Sequence, residues 1–131
     1  MKTNLDIVKQ GYADFMQRDI PAILNILSDD IEWVLPASAK VSFSGTFKGR
    51  DGVTNFFENV GNTNDISEFV VDNYIADGDY VVALGHLSAT AKSTGKTSSN
   101  KWAHVWQLKD GKVIRHYEYV DTAEIRDAFL E

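Results

Sequence analysis

The feature that most constrains this chain is a pair of alternating apolar and aromatic runs between Trp102 and Asp121, WAHVWQLKDGKVIRHYEYVD. The two runs meet at Lys109-Asp110-Gly111-Lys112. Asp-Gly between alternating runs indicates a two-residue type I′ turn, because that turn needs positive φ at both central residues. The sequence therefore predicts a β-hairpin in which Lys109 pairs with Lys112.

This pairing predicts which side chains share a face of the hairpin, since residues directly opposite each other lie on one side of a sheet. His104 is expected opposite Tyr117, and Trp102 opposite Tyr119. The first face would carry Trp102, His104, Trp106, Arg115, Tyr117, Tyr119 and Asp121. The other would carry Ala103, Val105, Gln107, Ile114, His116, Glu118 and Val120. An aromatic wall with one His and one Asp is typical of a ligand pocket.

Composition narrows the function classes. The 131 residues suit one domain, and a formal net charge of −6 without a Lys/Arg cluster argues against nucleic acid as a partner. The lack of cysteine excludes thiol catalysis, disulfides and zinc-thiolate sites. No apolar run approaches the roughly 20 residues of a membrane span, and no secretory leader is evident. We expect a cytoplasmic protein that does not act on membranes.

Helical periodicity comes first in the chain, and strand periodicity follows. Helices are expected over 4–17, with Thr3 or Asn4 as the cap, after Pro21, and from a capping Asp51 to about Val60. Strands are expected over 31–35, 66–76 and 80–92 and in the hairpin, before a short C-terminal helix. This order predicts one α+β domain over 1–131, with N-terminal helices packed on a curved, mostly antiparallel sheet. Such a sheet forms a cone whose open mouth suits a ligand.

Two further turns decide where His86 lies. The turn at Asp77-Gly78-Asp79 is expected to put Phe69, Val71 and Ile75 on one face with Val82, Leu84 and His86. In the next turn, a three-residue loop pairing Ser93 with Thr97 would bring His86 beside His104, and a two-residue loop would separate them. His86, His104 and Asp121 could together hold a metal, but we expect no metal site.

Several segments resemble the SnoaL-like branch of the nuclear transport factor 2-like superfamily, which includes ketosteroid isomerases and polyketide cyclases. They are Tyr12-Ala13-Asp14-Phe15 with Arg18-Asp19, Ser28 to Trp33, Gly45 to Val53, Asp77 to Val82, Trp102 to Trp106, Asp110 to Val113 and Tyr119 to Thr122. The resemblance covers nearly the whole chain in the right order. It implies a cone-shaped α+β barrel, usually a homodimer, that needs no cofactor and takes small apolar substrates.

The resemblance also implies residue roles. Relatives similar to polyketide cyclases carry an acid/base Asp near the end of the last strand and a His on the adjoining strand, and Asp121 and His104 match those positions. Ketosteroid isomerases place their base just before a Pro in the first strand, where this chain has Leu35 before Pro36. Tyr12 lies near the place of their oxyanion-binding Tyr, but without the base that route to isomerisation is not expected.

Two hypotheses follow. In the first, the chain is a cofactor-independent isomerase, cyclase or lyase in which Asp121 and His104 move a proton on a small apolar carbonyl compound. The ligand-binding residues would then be Tyr12, Trp33, His86, Trp102, Trp106, Tyr117 and Tyr119. In the second, the chain is a non-catalytic ligand-binding or dimeric scaffold module, and Asp121 caps the last helix by bonding the amides of residues 122–124. In both, Ala103, Val105, Ile114 and Val120 are expected to form a homodimer surface.

Overall fold

The computed structural model of the chain describes residues 2–131. Its elements are α1 (Asn4–Met16), α2 (Ile20–Asn25), β1 (Leu27–Leu35), β2 (Gly45–Lys48), α3 (Gly49–Thr63), β3 (Asn64–Asp77), β4 (Tyr80–Ala91), β5 (Thr97–Lys109), β6 (Lys112–Val120) and α4 (Thr122–Phe129). The predicted α+β arrangement is confirmed. Within the described residues, no helix combines the length and apolarity that crossing a membrane requires.

The helix boundaries follow the expected signals at α1 and α2 and depart from them at α3. Thr3 and Asp6 form a capping box at α1, and Pro21 lies in the first turn of α2. Asp51 was expected to cap α3, but the helix already begins at Gly49. The helix thus begins two residues before the predicted cap. Its first turn is held in place by Arg50, whose guanidinium donates to the carbonyl oxygens of Leu24 and Leu27.

The six strands form one curved sheet in the order β2-β1-β6-β5-β4-β3. Its pairs are antiparallel apart from β1 with β6, which run parallel. The sheet does not close, since among residues 2–131 β2 and β3 form its two edges. Strand β1 begins at Leu27, four residues before the strand expected over 31–35.

The hairpin turn is as predicted, but the register beyond it is not. Asp110 and Gly111 have φ values of 52° and 78°, and Lys109 pairs with Lys112. Leu108 then pairs with Val113 but Gln107 with Arg115, so Ile114 forms a β-bulge. One extra residue reverses which side chains face the core from that point on.

The bulge corrects the predicted faces of β6. His104 lies opposite Glu118, and Trp106 lies opposite His116. Glu118 and His116 therefore point inward, although they were expected on the face that does not carry His104. Arg115, Tyr117 and Tyr119, expected on the inner face, point outward, and Tyr119 is 53% exposed.

Bulges also correct the prediction for β3 and β4. Near the turn, Ile75 pairs with Val82, so these two residues share a face as expected. Register shifts at residues 67 and 72 then place Phe69 opposite Leu87 and His86 opposite Val70. His86 therefore does not share a face with Phe69 or Val71.

The turn between β4 and β5 follows neither predicted alternative. Thr90 pairs with Thr97 and His86 with Lys101, across a four-residue turn closed by Ala91 and Lys96. His86 consequently lies on the outer face, and it cannot meet His104, which pairs with Ala83.

The inner and outer faces of the sheet differ in how far the helices cover them. The helices pack against the inner face, where Val8, Leu27, Val53 and Val81 are fully buried. No helix of residues 2–131 covers the outer face, and the large exposed apolar side chains concentrate there: Val70, Ile75, Tyr80, Leu84 and Tyr119. Of the patch expected from the sequence, Ala103 and Val105 belong to this face, whereas Val120 pairs with Trp102 and packs on the core. Contiguous exposed apolar surface of this kind is typical of an interface.

We propose that the outer face pairs two copies of the chain. Leu84→Asp should convert the dimer to monomer at low micromolar concentration, because two-fold symmetry brings two unpaired charges into one interface, at a cost of several kcal/mol. Sedimentation equilibrium measures this directly. Met16→Asp is the matched control, since Met16 is an equally apolar exposed residue on α1, away from the outer face. A monomeric unmodified chain would contradict the proposal.

Candidate functional site

The candidate site is a cavity between the inner face of the sheet and the helices. It has a volume of about 110 Å³. Tyr12 and Phe15 of α1, Phe56 of α3 and Ile125 of α4 contribute apolar wall from the helix side. Polar side chains come mainly from the sheet, and they are Asn64, Ser98, Asn100, His104, His116 and Glu118.

A buried chain of hydrogen bonds crosses from the sheet to α1. The Trp106 indole Nε1 donates to the Tyr12 hydroxyl oxygen at 2.8 Å, and that hydroxyl lies 2.7 Å from His104 Nδ1. Since the Tyr12 oxygen already accepts from Trp106, its own hydrogen is available for His104. Burial raises the pKa of Tyr12 far above its ordinary value, so the phenol keeps this proton.

This bond assigns the tautomer of His104. Because Nδ1 accepts from Tyr12, the hydrogen of the neutral imidazole belongs on Nε2. Nε2 faces Glu118, whose Oε1 lies 3.6 Å away, and the two side chains are only 8% and 15% exposed. The sheet thus places an imidazole N–H near a carboxylate at the cavity wall, and Nε2 has no hydrogen-bond partner among residues 2–131.

His116 is buried without a hydrogen-bond partner among residues 2–131. Its ring stacks on Trp33 with centroids 3.7 Å apart and meets the edge of Trp106 at 4.3 Å. Burial, and to a smaller extent His104, hold the pKa of His116 well below its ordinary value. Both ring nitrogens and the Trp33 Nε1 lack a partner. Such groups are costly in an apolar interior unless a bound molecule satisfies them.

Trp102 supports the site from behind. Its indole stacks on Phe69 at 5.0 Å and on His104 at 4.0 Å between ring centroids. The indole fits only because residue 85 is glycine, since a Cβ there would collide with the ring and with the Val70 carbonyl oxygen. Trp102 therefore fixes the orientation of His104 rather than lining the cavity.

The structure brings together some of the residues expected at the site and separates others. His104, Tyr12, Trp33 and Trp106 line the cavity. Tyr117 and Tyr119 lie on the outer face because of the bulge at Ile114.

His86 and Asp121 have other partners. His86 bonds Asp72 at 2.9 Å and lies 3.2 Å from Glu68 on the outer face, and the hydrogen bond to Asp72 raises its pKa. Asp121 is exposed and caps α4, where its Oδ1 accepts from the Glu124 amide at 3.1 Å. It makes no hydrogen bond or ion pair with His104 within the described chain, so the expected Asp121–His104 contact is absent.

Sequence reasoning placed His116 and Glu118 on the wrong face. The signal for the correct placement was weak, because a β-bulge has no fixed sequence signature when the extra residue is an isoleucine. Residues 2–131 contain no group of three or more His, Asp or Glu side chains arranged to hold a metal ion.

The buried His116 predicts a loss of stability in mild acid. Its pKa is lower in the folded chain than the ordinary 6.5, so the unfolded chain takes up the proton first as the pH falls. The free energy of unfolding should fall by up to about 1.4 kcal/mol per pH unit below that value. His116→Phe should remove this part of the slope, as measured by urea unfolding between about pH 7 and pH 5.

His86→Asn is the control, because folding shifts the pKa of His86 in the opposite direction to that of His116. The pKa of His86 is raised, so its stabilisation is complete below the unfolded value and is lost as the pH rises through the folded value. Identical acid slopes for the unmodified chain and His116→Phe would contradict the assignment.

The capping role of Asp121 predicts that Asp121→Asn changes little, because Asn is as good an N-cap as Asp. Asp121→Ala should lower the free energy of unfolding by about 1 kcal/mol, which thermal unfolding measures. If Asp121→Asn instead abolished ligand binding in a folded protein, Asp121 would belong to the site.

Comparisons with known proteins agree with this architecture. Residues 8–116 match the family described as SnoaL-like domain. No curated protein matches the chain.

Three solved structures are similar over nearly the whole chain. An NTF2-like protein of Burkholderia pseudomallei is 30% identical with a TM-score of 0.89, and one of Burkholderia thailandensis is 28% identical with a TM-score of 0.91; 100% of each chain is covered in both cases. TerC, co-crystallized with polyporic acid, is 29% identical with a TM-score of 0.85, covering 96% of this chain and 97% of its own. The chain belongs to the SnoaL-like domain family of the nuclear transport factor 2-like superfamily.

Proposed function

We propose that this chain binds a small apolar carbonyl compound in its cavity and moves a proton on it, as a cofactor-independent isomerase or cyclase-type lyase. The observation that carries the proposal is the buried series Trp106, Tyr12, His104 and Glu118 at the wall of a mostly apolar cavity. Titratable groups held together in a cleft are found preferentially at functional sites. The cytoplasmic location expected from the sequence is part of this proposal.

Glu118 takes the role of general base that the sequence had suggested for Asp121. Its carboxylate lines the cavity and can accept a proton from a carbon next to the substrate carbonyl. His104 keeps the expected role of orienting the base, because its Nε2–H faces the Glu118 carboxylate. Returning the proton to a different carbon completes an isomerisation.

The enolate oxygen formed in this step needs hydrogen-bond donors. His116 is a suitable donor because its lowered pKa keeps the imidazole neutral, with one N–H and no protein partner. The Trp33 Nε1–H is a second donor without a partner. Both residues line the cavity, so a carbonyl oxygen there would satisfy groups that are otherwise costly to bury.

The alternative is a non-catalytic module that holds a ligand in the same cavity. The capping bond of Asp121 is the observation that favours it, because it removes the one carboxylate that the resemblance had marked as catalytic. Polyporic acid, with which the similar TerC was crystallized, is a natural first ligand to test for binding in either case.

The test is hydrogen–deuterium exchange. Small enolisable aryl ketones are incubated with the protein in deuterium oxide, and loss of the proton next to the carbonyl is followed by NMR. We expect exchange above the buffer rate, and we expect Glu118→Gln to lower it by about 100-fold or more, because a general base contributes about that factor. Binding of the same ketones, measured by calorimetry, should persist in Glu118→Gln.

His86→Asn is the matched control, since it removes a histidine from the outer face of the same sheet. It should leave both exchange and binding unchanged. Binding without exchange in the unmodified protein would assign the non-catalytic role. Exchange that Glu118→Gln does not slow would overturn the mechanism.

A further inference from the structure

We propose that the ligand of this site is elongated, with its reactive end in the cavity, an apolar body in an outer groove, and an acidic group bound by Arg18. This inference rests on the proposed function, because it takes the cavity to be where the reactive end binds. It concerns the class of substrate that the cavity serves.

The size of the cavity limits how much of a ligand can bind inside it. An apolar cavity of ~150 Å³ holds about one benzene ring, and the cavity here measures about 110 Å³. Its walls include fully packed aromatic residues such as Trp33 and Trp106, which leave little room to expand. A ligand larger than one ring therefore extends out of the cavity.

The cavity is bordered by a groove on the surface of the molecule. A groove of about 680 Å³ lies against the outside of α1, α2, α3 and the start of β3. Six residues line both the cavity and the groove: Phe15, Phe57, Val60, Asn64, Ile66 and Phe69. We infer that these shared residues, called the neck here, form a passage between the two spaces that they border. Because the neck is mostly apolar, it suits the carbon body of a ligand better than a charged group.

Much of the groove lining at the turn between α1 and α2 is apolar. Met16, Ile20, Pro21 and Leu24 contribute apolar surface, and Met16 is 58% exposed. Methionine adapts its shape to varied partners and is frequent at surfaces that bind flexible molecules. This surface continues the apolar path that begins at the neck.

Arg18 also lines the groove, and its backbone has a positive φ. The amides of Arg18 and Asp19 donate to the Phe15 and Asp14 carbonyl oxygens, which is the Schellman pattern that ends a helix. Arg18 occupies the left-handed position of that motif, with φ 58°, where glycine is the usual residue. Arginine costs more free energy than glycine in this conformation, which makes its side chain a candidate for a binding role.

The charges around the groove single out Arg18 as the available cation. Lys92 lies 3.9 Å from Asp65 and donates to the Gly61 carbonyl oxygen, and Glu68 is paired with His86. Among residues 2–131, the Arg18 side chain makes no hydrogen bond or ion pair. Glu58 on α3 also lines the groove and repels an anion, so an acidic group is held at the α1–α2 side.

The experiment uses aryl ketones of increasing length. Propiophenone represents the reactive end alone, and benzoylpropionic, benzoylvaleric and benzoylheptanoic acids add a chain that ends in a carboxylate. Affinity, measured by calorimetry at low salt, should rise roughly two- to fourfold per methylene once the chain enters the groove. The longest acid should bind about fivefold tighter than its methyl ester, and this preference should shrink at high salt.

Variants of Arg18 separate its two properties. Arg18→Gln should abolish the preference for acid over ester and leave propiophenone binding unchanged. Arg18→Gly should do the same while raising the melting temperature, because glycine adopts the left-handed conformation without strain. Arg126→Gln is the matched control, since it removes an exposed arginine from α4.

The outcomes distinguish this inference from the function on which it rests. Equal affinity for propiophenone and the long acids, with no effect of Arg18→Gln, would overturn the elongated ligand and leave the cavity function standing. Failure of every probe to bind, propiophenone included, would overturn both. An acid preference that survives Arg18→Gln would overturn the role of Arg18.

Discussion

A single buried hydrogen bond, from the Tyr12 hydroxyl to His104 Nδ1, connects the first helix to the middle of the sheet. It fixes the imidazole tautomer, and so it determines that an N–H rather than a lone pair faces Glu118. Trp106 in turn orients the phenol by donating to its oxygen. Ring orientation and the chemistry of the cavity wall thus depend on one contact in a low-dielectric interior, where such networks act cooperatively.

Two histidines on neighbouring strands acquire different properties from their surroundings. His104 bonds Tyr12 through Nδ1 and lies 3.6 Å from the Glu118 carboxylate, whereas His116 packs against the rings of Trp33 and Trp106. Burial in an aromatic environment keeps His116 neutral. The same sheet therefore supplies one imidazole near a carboxylate and a second, neutral imidazole that can donate or accept a hydrogen bond.

Much of the fold was predictable because its signals are local. The Asp110-Gly111 turn, the capping residues of α1 and the order of helices and strands depend on residues close in sequence. The site was less predictable, because alternate residues of a strand face opposite sides of the sheet. One extra residue at Ile114 therefore puts His116 on the inner face in place of Tyr117. Asp121 was correctly placed at the helix start, but only the fold decides whether its carboxylate caps the helix or faces the cavity.

The parallel pairing of β1 with β6 has a consequence for how the molecule forms. Trp33 and His116 meet across this pair, although they lie roughly eighty residues apart in the chain. Contacts of such long sequence separation are slow to form, because the loop-closure entropy must be overcome first. The antiparallel hairpins of β3 to β6 can form early, and β1 then docks onto a nearly complete sheet. The wall that Trp33 and His116 share is therefore expected to assemble late, after the hairpins of β3 to β6.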